Sequence, residues 1–139
     1  MSNRLSLWLP PVAWMAAIFA VSSIPDLTHI PGGLPDSAAH GGEYAVLGVL
    51  LLRAAARGRW SDVTLRAVGL AVALSAAYAA TDEWHQSFVP GRGSEVRDVA
   101  WDVAGASAAA GAAWAWGIIR RFSRPRESRH GVHEPPPRA

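Results

Sequence analysis

Cysteine and lysine are both absent from this chain. Without a thiol there is no disulfide scaffold, no cysteine-ligated zinc and no thiol nucleophile. Without lysine, all 13 basic residues are arginine. Charge is scarce as a whole: 17% of the 139 residues are charged, against about 25% in soluble domains. A helical bundle in water needs a polar face on every helix, and 17% is too little to supply one. Apolar residues make up half the chain, and the length holds a single domain.

The apolar residues fall into four stretches, at 5–21, 38–56, 63–80 and 99–119. Each is close to the roughly 20 residues that a helix needs to cross about 30 Å of hydrocarbon. The stretch from Ala67 to Ala80 has no charged residue at all. This spacing predicts an all-α, polytopic membrane bundle of four transmembrane helices over residues 1–120. A disordered, Arg- and Pro-rich cytoplasmic tail is expected at 121–139. Pro10 and Pro11 are expected near the start of the first helix, where a missing N–H donor costs little.

Arginine positions set the orientation. Arg4, Arg53, Arg57, Arg59, Arg66 and the tail arginines fall on one side of the expected bundle, and only Arg92 and Arg97 on the other. The positive-inside rule then makes both termini cytoplasmic. The high pI of about 9.9 follows without nucleic acid, since no basic groove interleaved with aromatics is present. Trp8, Trp60, Trp114 and Trp116 fall near the inner interface and Trp84 and Trp101 near the outer one, as an aromatic belt requires. Trp14 alone sits mid-span.

Polar residues gather toward the outer face. Asp36, His40, Glu43 and Tyr44 share one face of the second helix. Asp82, Glu83 and Gln86 end the third, and Asp98 and Asp102 open the fourth. Val89-Pro90-Gly91-Arg92 reads as a turn that presents Arg92 at the mouth of this group. Asp36 and Asp98 also suit the N-caps of their helices, whereas Asp102 lies a turn too deep for capping. Asp82 and Glu83 stand at a helix C-terminus, which disfavours anions, so a cation from Arg92 or Arg97 is expected beside them. His85 reads as a solvated loop residue. A charge at mid-span costs about 2.5–3.5 kcal/mol on the insertion scale, so an acid there is a functional-site candidate by default.

The candidate ligand-binding set is therefore Asp36, His40, Glu43, Tyr44, Asp82, Glu83, Gln86, Arg92, Asp98 and Asp102. His40 and Glu43 are the candidates for acid–base work. No cofactor and no metal are expected; were a metal bound, its ligands would come from His40, Asp36, Asp82, Asp98 and Asp102. No nucleophile elbow, HExxH or phosphate loop is present.

Two segments carry a family resemblance. Asp36-Ser-Ala-Ala-His40-Gly-Gly-Glu43-Tyr44-Ala-Val-Leu47-Gly48 resembles the first motif of the VanZ-like family. Thr81-Asp82-Glu83-Trp84-His85-Gln86-Ser-Phe88-Val-Pro90-Gly91-Arg92, followed by Asp98, Asp102 and Gly105, resembles the second. The Ser22-Ser23 pair fits more weakly. Ser37 departs from the pattern, standing where Lys commonly follows the Asp, and Asp102 stands where Asn is common. The resemblance implies a small multispan protein of the bacterial cytoplasmic membrane. The family's namesake is associated with lowered susceptibility to teicoplanin, but the family brings no settled chemistry.

Four uses of the outer polar group stay open. It binds a membrane lipid headgroup or a lipid-linked cell-wall precursor; or it is an intramembrane enzyme acting on such a molecule; or it relays protons or ions in a transporter; or it serves assembly, the polar cluster only holding the helices together.

Overall fold

The structure, a computed structural model, describes residues 4–25 and 36–123, and at Asp36, Arg121 and Phe122 the backbone only. Four helices follow one another: α1 (Arg4–Ser22), α2 (Asp36–Ala55), α3 (Leu65–Gln86) and α4 (Val96–Phe122). A short 3-10 turn, Trp60–Asp62, links α2 to α3, and no strand occurs among the described residues. The chain is all-helical. The tail expected at 121–139 lies outside the described residues from 124 onward, and α4 itself runs to Phe122.

At 1.5 Å per residue the helices, of 19 to 27 residues, are about 29–40 Å long. By length and composition together, α1 alone among the described helices is apolar enough to cross a membrane. The other three are long enough, but their acidic end turns and Ala- and Gly-rich middles dilute the Leu and Val content.

Each helix end has a local cause. α1 begins at Arg4, so Pro10 and Pro11 lie inside it, deeper than the first turn where they were expected. A proline at position 10 cannot donate to the carbonyl of Ser6, and the Arg53 guanidinium of α2 donates to that oxygen instead, at 3.4 Å. α2 stops in a Schellman motif: the Gly58 N–H donates to the Arg53 carbonyl at 2.8 Å and the Arg57 N–H to that of Ala54 at 3.0 Å. This geometry requires left-handed backbone, and Arg57 adopts it at φ 52° without being a glycine. Thr64 caps α3 by accepting from the Ala67 N–H. α4 starts at Val96 with Glu95 as its N-cap residue, so Asp98 sits inside the first turn and is not the cap.

α2 and α4 approach most closely. A Cβ on Gly48 would lie 2.8 Å from the Ala106 carbonyl oxygen, and one on Gly105 would collide with the backbone of Gly41. α3 packs beside this pair and α1 covers α2 and α3. The interior is filled by Tyr44, Leu47, Leu51, Ala71, Ala79, Ala106 and Ala110.

The bundle has two chemically different ends. At one, Arg53 meets Ser6, Gly58 faces Leu7 and Trp60 faces Gly117, which gathers the start of α1 with the ends of α2 and α4. A recess of about 290 Å³ opens there, lined by Leu52, Arg53, Arg59, Trp60 and Val63 among others. The opposite end joins the end of α1, the start of α2, the end of α3 and the start of α4, and Asp82, Glu83, Asp98 and Asp102 lie there.

Candidate functional site

The helix order brings the polar residues of α2, α3 and α4 to one end. His40, one turn into α2, meets Asp102 of α4 with Nδ1 3.2 Å from Oδ1. Asp102 is 1% exposed and His40 11% by side chain. The pair exists because Gly41 and Gly105 let the two backbones touch beside it. The second carboxylate oxygen of Asp102 is buried without a hydrogen-bond partner among the described residues.

Asp82 is buried in the last turns of α3. Its Oδ2 accepts two hydrogen bonds of 2.9 Å, from the Ser22 hydroxyl of α1 and the Gln86 amide. Glu83, also buried, accepts from the Glu95 backbone N–H at 2.9 Å. It thereby satisfies a donor at the start of α4, at the positive end of that helix. The cation expected beside these two acids is thus replaced by neutral donors. Arg97 pairs instead with Glu95 at 3.0 Å on the surface. Arg92 donates to the Val21 carbonyl at 3.4 Å, and its buried Nε has no partner among the described residues.

The Pro90-Gly91 turn forms as expected: Arg92 N–H closes onto the Val89 carbonyl at 3.1 Å, and Gly91 takes φ 77°. Arg92 is half-buried as a result. Glu43 is half-buried and feels the charges of His40, Asp102, Asp82 and Arg92. Its backbone carbonyl accepts from the Trp14 indole at 3.0 Å. Tyr44 is fully buried and its hydroxyl has no partner among the described residues. The Asp36 side chain lies outside the described residues.

One ligand atom each from His40, Glu83 and Asp98 lie within 4.8 Å of one another. Of these, His40 and Asp98 belong to the metal-ligand candidates read from the sequence, and Glu83 does not. Asp82 and Asp102 stand outside this trio.

Sequence reasoning missed three contributors. Ser22 holds Asp82, Ser23 meets His85 Nε2 at 3.0 Å, and Trp14 holds Glu43. His85 belongs to the last turn of α3, not to a solvated loop: its ring stacks on Phe19 at 4.3 Å. The sequence signal was the serine pair itself, two hydroxyls together at the end of an apolar run.

The arrangement offers carboxylates and an imidazole below, and a guanidinium with open donors above. Such a set suits a ligand that bears both anionic and cationic or hydroxyl groups. A model of the VanZ/LLP1 family matches residues 9–120, nearly all of α1 through α4. No curated protein and no solved structure matches the chain.

Proposed function

The chain belongs to the VanZ/LLP1 family, and on that premise we propose that it lies in the bacterial cytoplasmic membrane as a four-span bundle with cytoplasmic termini. Its outer polar site binds the phosphate-bearing headgroup of an envelope lipid or lipid-linked cell-wall precursor. Arg92 pairs with the phosphate, and the acidic groups hold an amine or cation beside it.

One observation carries this reading: polarity is arranged inside out. Asp82, Glu83, Gln86, Asp98 and Asp102 are buried, while Leu5 is 72%, Leu9 66% and Val12 57% exposed. Phe19, Val49, Leu70, Leu74 and Ile119 are exposed too, on every helix. Each large apolar side chain left in water forgoes about 1.5–3 kcal/mol of burial. Lipid removes that cost, and acids within a span are then expected to face inward with partners. Hydrocarbon around the helices accounts for both halves of the pattern at once.

Three measurements test it. A fluorescent reporter fused after Ala139 should light in the cytoplasm, and an enzymatic reporter placed at Gly93 should work only beyond the membrane; the reverse pattern sinks the topology. Purified protein in nanodiscs should bind a labelled polyprenyl-pyrophosphate lipid, with Arg92→Ala weakening binding. Equal binding by empty nanodiscs would remove the headgroup reading. If the site shields precursor at the cell surface, a susceptible host expressing the chain should also bind less labelled teicoplanin.

The His40–Asp102 contact favours one second reading. A histidine oriented by a carboxylate is the usual form of a general base, so the site could process the same lipid. Turnover of that lipid abolished by His40→Ala would replace binding by catalysis.

A further inference from the structure

We infer that His40, Glu83 and Asp98 form a binding site for a divalent cation of the Zn²⁺ or Mn²⁺ class, between the start of α2, the end of α3 and the first turn of α4.

Three independent features converge on it. The first is the donor set: one imidazole nitrogen and two carboxylate oxygens from three helices lie within 4.8 Å of one another. Around an ion with bonds of about 2.0–2.2 Å, such atoms sit roughly 3.4 Å apart. Binding would draw the three atoms together to that spacing. An imidazole among oxygen ligands selects Zn²⁺ or Mn²⁺ over Ca²⁺ and Mg²⁺, which take oxygen.

The second feature is an open ligand. Glu83 is buried, and with Oε2 tied to the Glu95 N–H, its Oε1 has no hydrogen-bond partner among the described residues. A buried carboxylate oxygen without a donor is costly, and a cation shared with Asp98 removes that cost. It also separates two acids that otherwise repel each other.

The third feature is the support behind the histidine. Asp102 Oδ1 lies 3.2 Å from Nδ1 of His40. A cation at His40 would be bound through Nε2, with Nδ1–H donated to that carboxylate. This carboxylate–histidine–metal relay is how ligating histidines are commonly oriented and made more basic. Asp102 is therefore a positioning residue for the site.

The inference does not depend on the headgroup reading, because metal uptake is measured with no headgroup ligand added. The experiment uses the full chain purified in detergent through a tag without histidine, with His130→Ala and His133→Ala silencing the tail imidazoles. After exposure to Zn²⁺ and dialysis, elemental analysis should find one equivalent per chain, with no retention of Mg²⁺. Co²⁺ in its place should give the visible absorption of a low-coordinate nitrogen–oxygen site. His40→Ala, Glu83→Gln and Asp98→Asn should each weaken Zn²⁺ binding at least tenfold. Asp102→Asn should weaken it by roughly 10–100-fold, while Asp62→Asn, in the turn at the opposite end of the bundle, stays within twofold. Folded wild type that retains no Zn²⁺ and shows no Co²⁺ spectrum overturns the site whatever the variants do. So does undiminished binding by Glu83→Gln. If instead the two acids share a proton, Glu83→Gln will raise thermal stability in EDTA while wild type takes up no metal, and the cation is refuted.

Discussion

Gly105 of α4 rests on the backbone of Gly41 of α2, with no room for a methyl group between them: a Cβ on Gly105 would lie 2.7 Å from the Gly41 carbonyl carbon. The contact sits beside the His40–Asp102 pair, so the closeness of two backbones sets the reach of two side chains. Tight approach of small residues is the common means by which helices associate in lipid.

Gly105→Ala should therefore force α2 and α4 apart and cost about 1–3 kcal/mol, the usual penalty of overpacking. Unfolding in mixed micelles of increasing SDS content measures it. Gly69→Ala is the control, since nothing lies within 4 Å of a Cβ there. Equal midpoints for the two variants would show that the approach is not needed.

Ser22→Ala removes one of the two donors on the buried Oδ2 of Asp82. Leaving a buried acceptor short of a partner costs about 1–3 kcal/mol. The thermal midpoint should fall accordingly, while Ser23→Ala, whose partner His85 is only partly buried, should fall less. A Ser22→Ala midpoint equal to wild type would show that Gln86 alone suffices.

Arg57→Gly should stabilise the fold. A non-glycine residue in the left-handed region costs about 1–2 kcal/mol, and Arg57 occupies it at φ 52°. After the greater freedom of glycine in the unfolded chain is deducted, a gain of about 1 kcal/mol should remain in the same SDS titration. Arg57→Ala should give none, which separates backbone relief from loss of charge.

Arg92 and Arg97 provide a matched pair for the headgroup reading. Arg92 is half-buried with an open donor, whereas Arg97 is 74% exposed by side chain and engaged with Glu95. Arg92→Ala should weaken binding of a phosphate-bearing lipid about tenfold at unchanged abundance, in keeping with about 1.5–3 kcal/mol for a hydrogen bond to a charged group. Arg97→Ala should leave binding within twofold. Equal losses at both positions would mean general surface charge rather than a site.

Some of this was legible in the residues and some was not. The acids at Asp82 and Glu83, with Gln86, mark the end of α3, and that helix does end at Gln86. The 3.6-residue period puts His40, Glu43 and Tyr44 on one face, of which His40 meets Asp102 of α4 and Tyr44 faces Tyr78 of α3. Partners of the acids could not be read the same way. Ser22 lies 60 residues from Asp82 and Glu95 lies 12 from Glu83; charge arithmetic favours arginine over a hydroxyl or a backbone N–H, yet geometry chose the latter two. The start of α4 was misplaced by two residues because a backbone donor tied to another helix leaves no capping side chain to see. The Gly41–Gly105 contact is likewise invisible as composition, since at other glycines, such as Gly42 and Gly111, a Cβ would meet nothing within 4 Å among the described residues.

The 62 residues between His40 and Asp102 also set a clock on biosynthesis. At about 5–20 residues per second, a ribosome takes roughly 3–12 seconds to deliver the aspartate after the histidine. During that interval His40 and Glu43 of α2 face a place where no α4 has yet arrived. A ribosome stalled before codon 102 leaves His40 without the carboxylate that it meets in the finished fold.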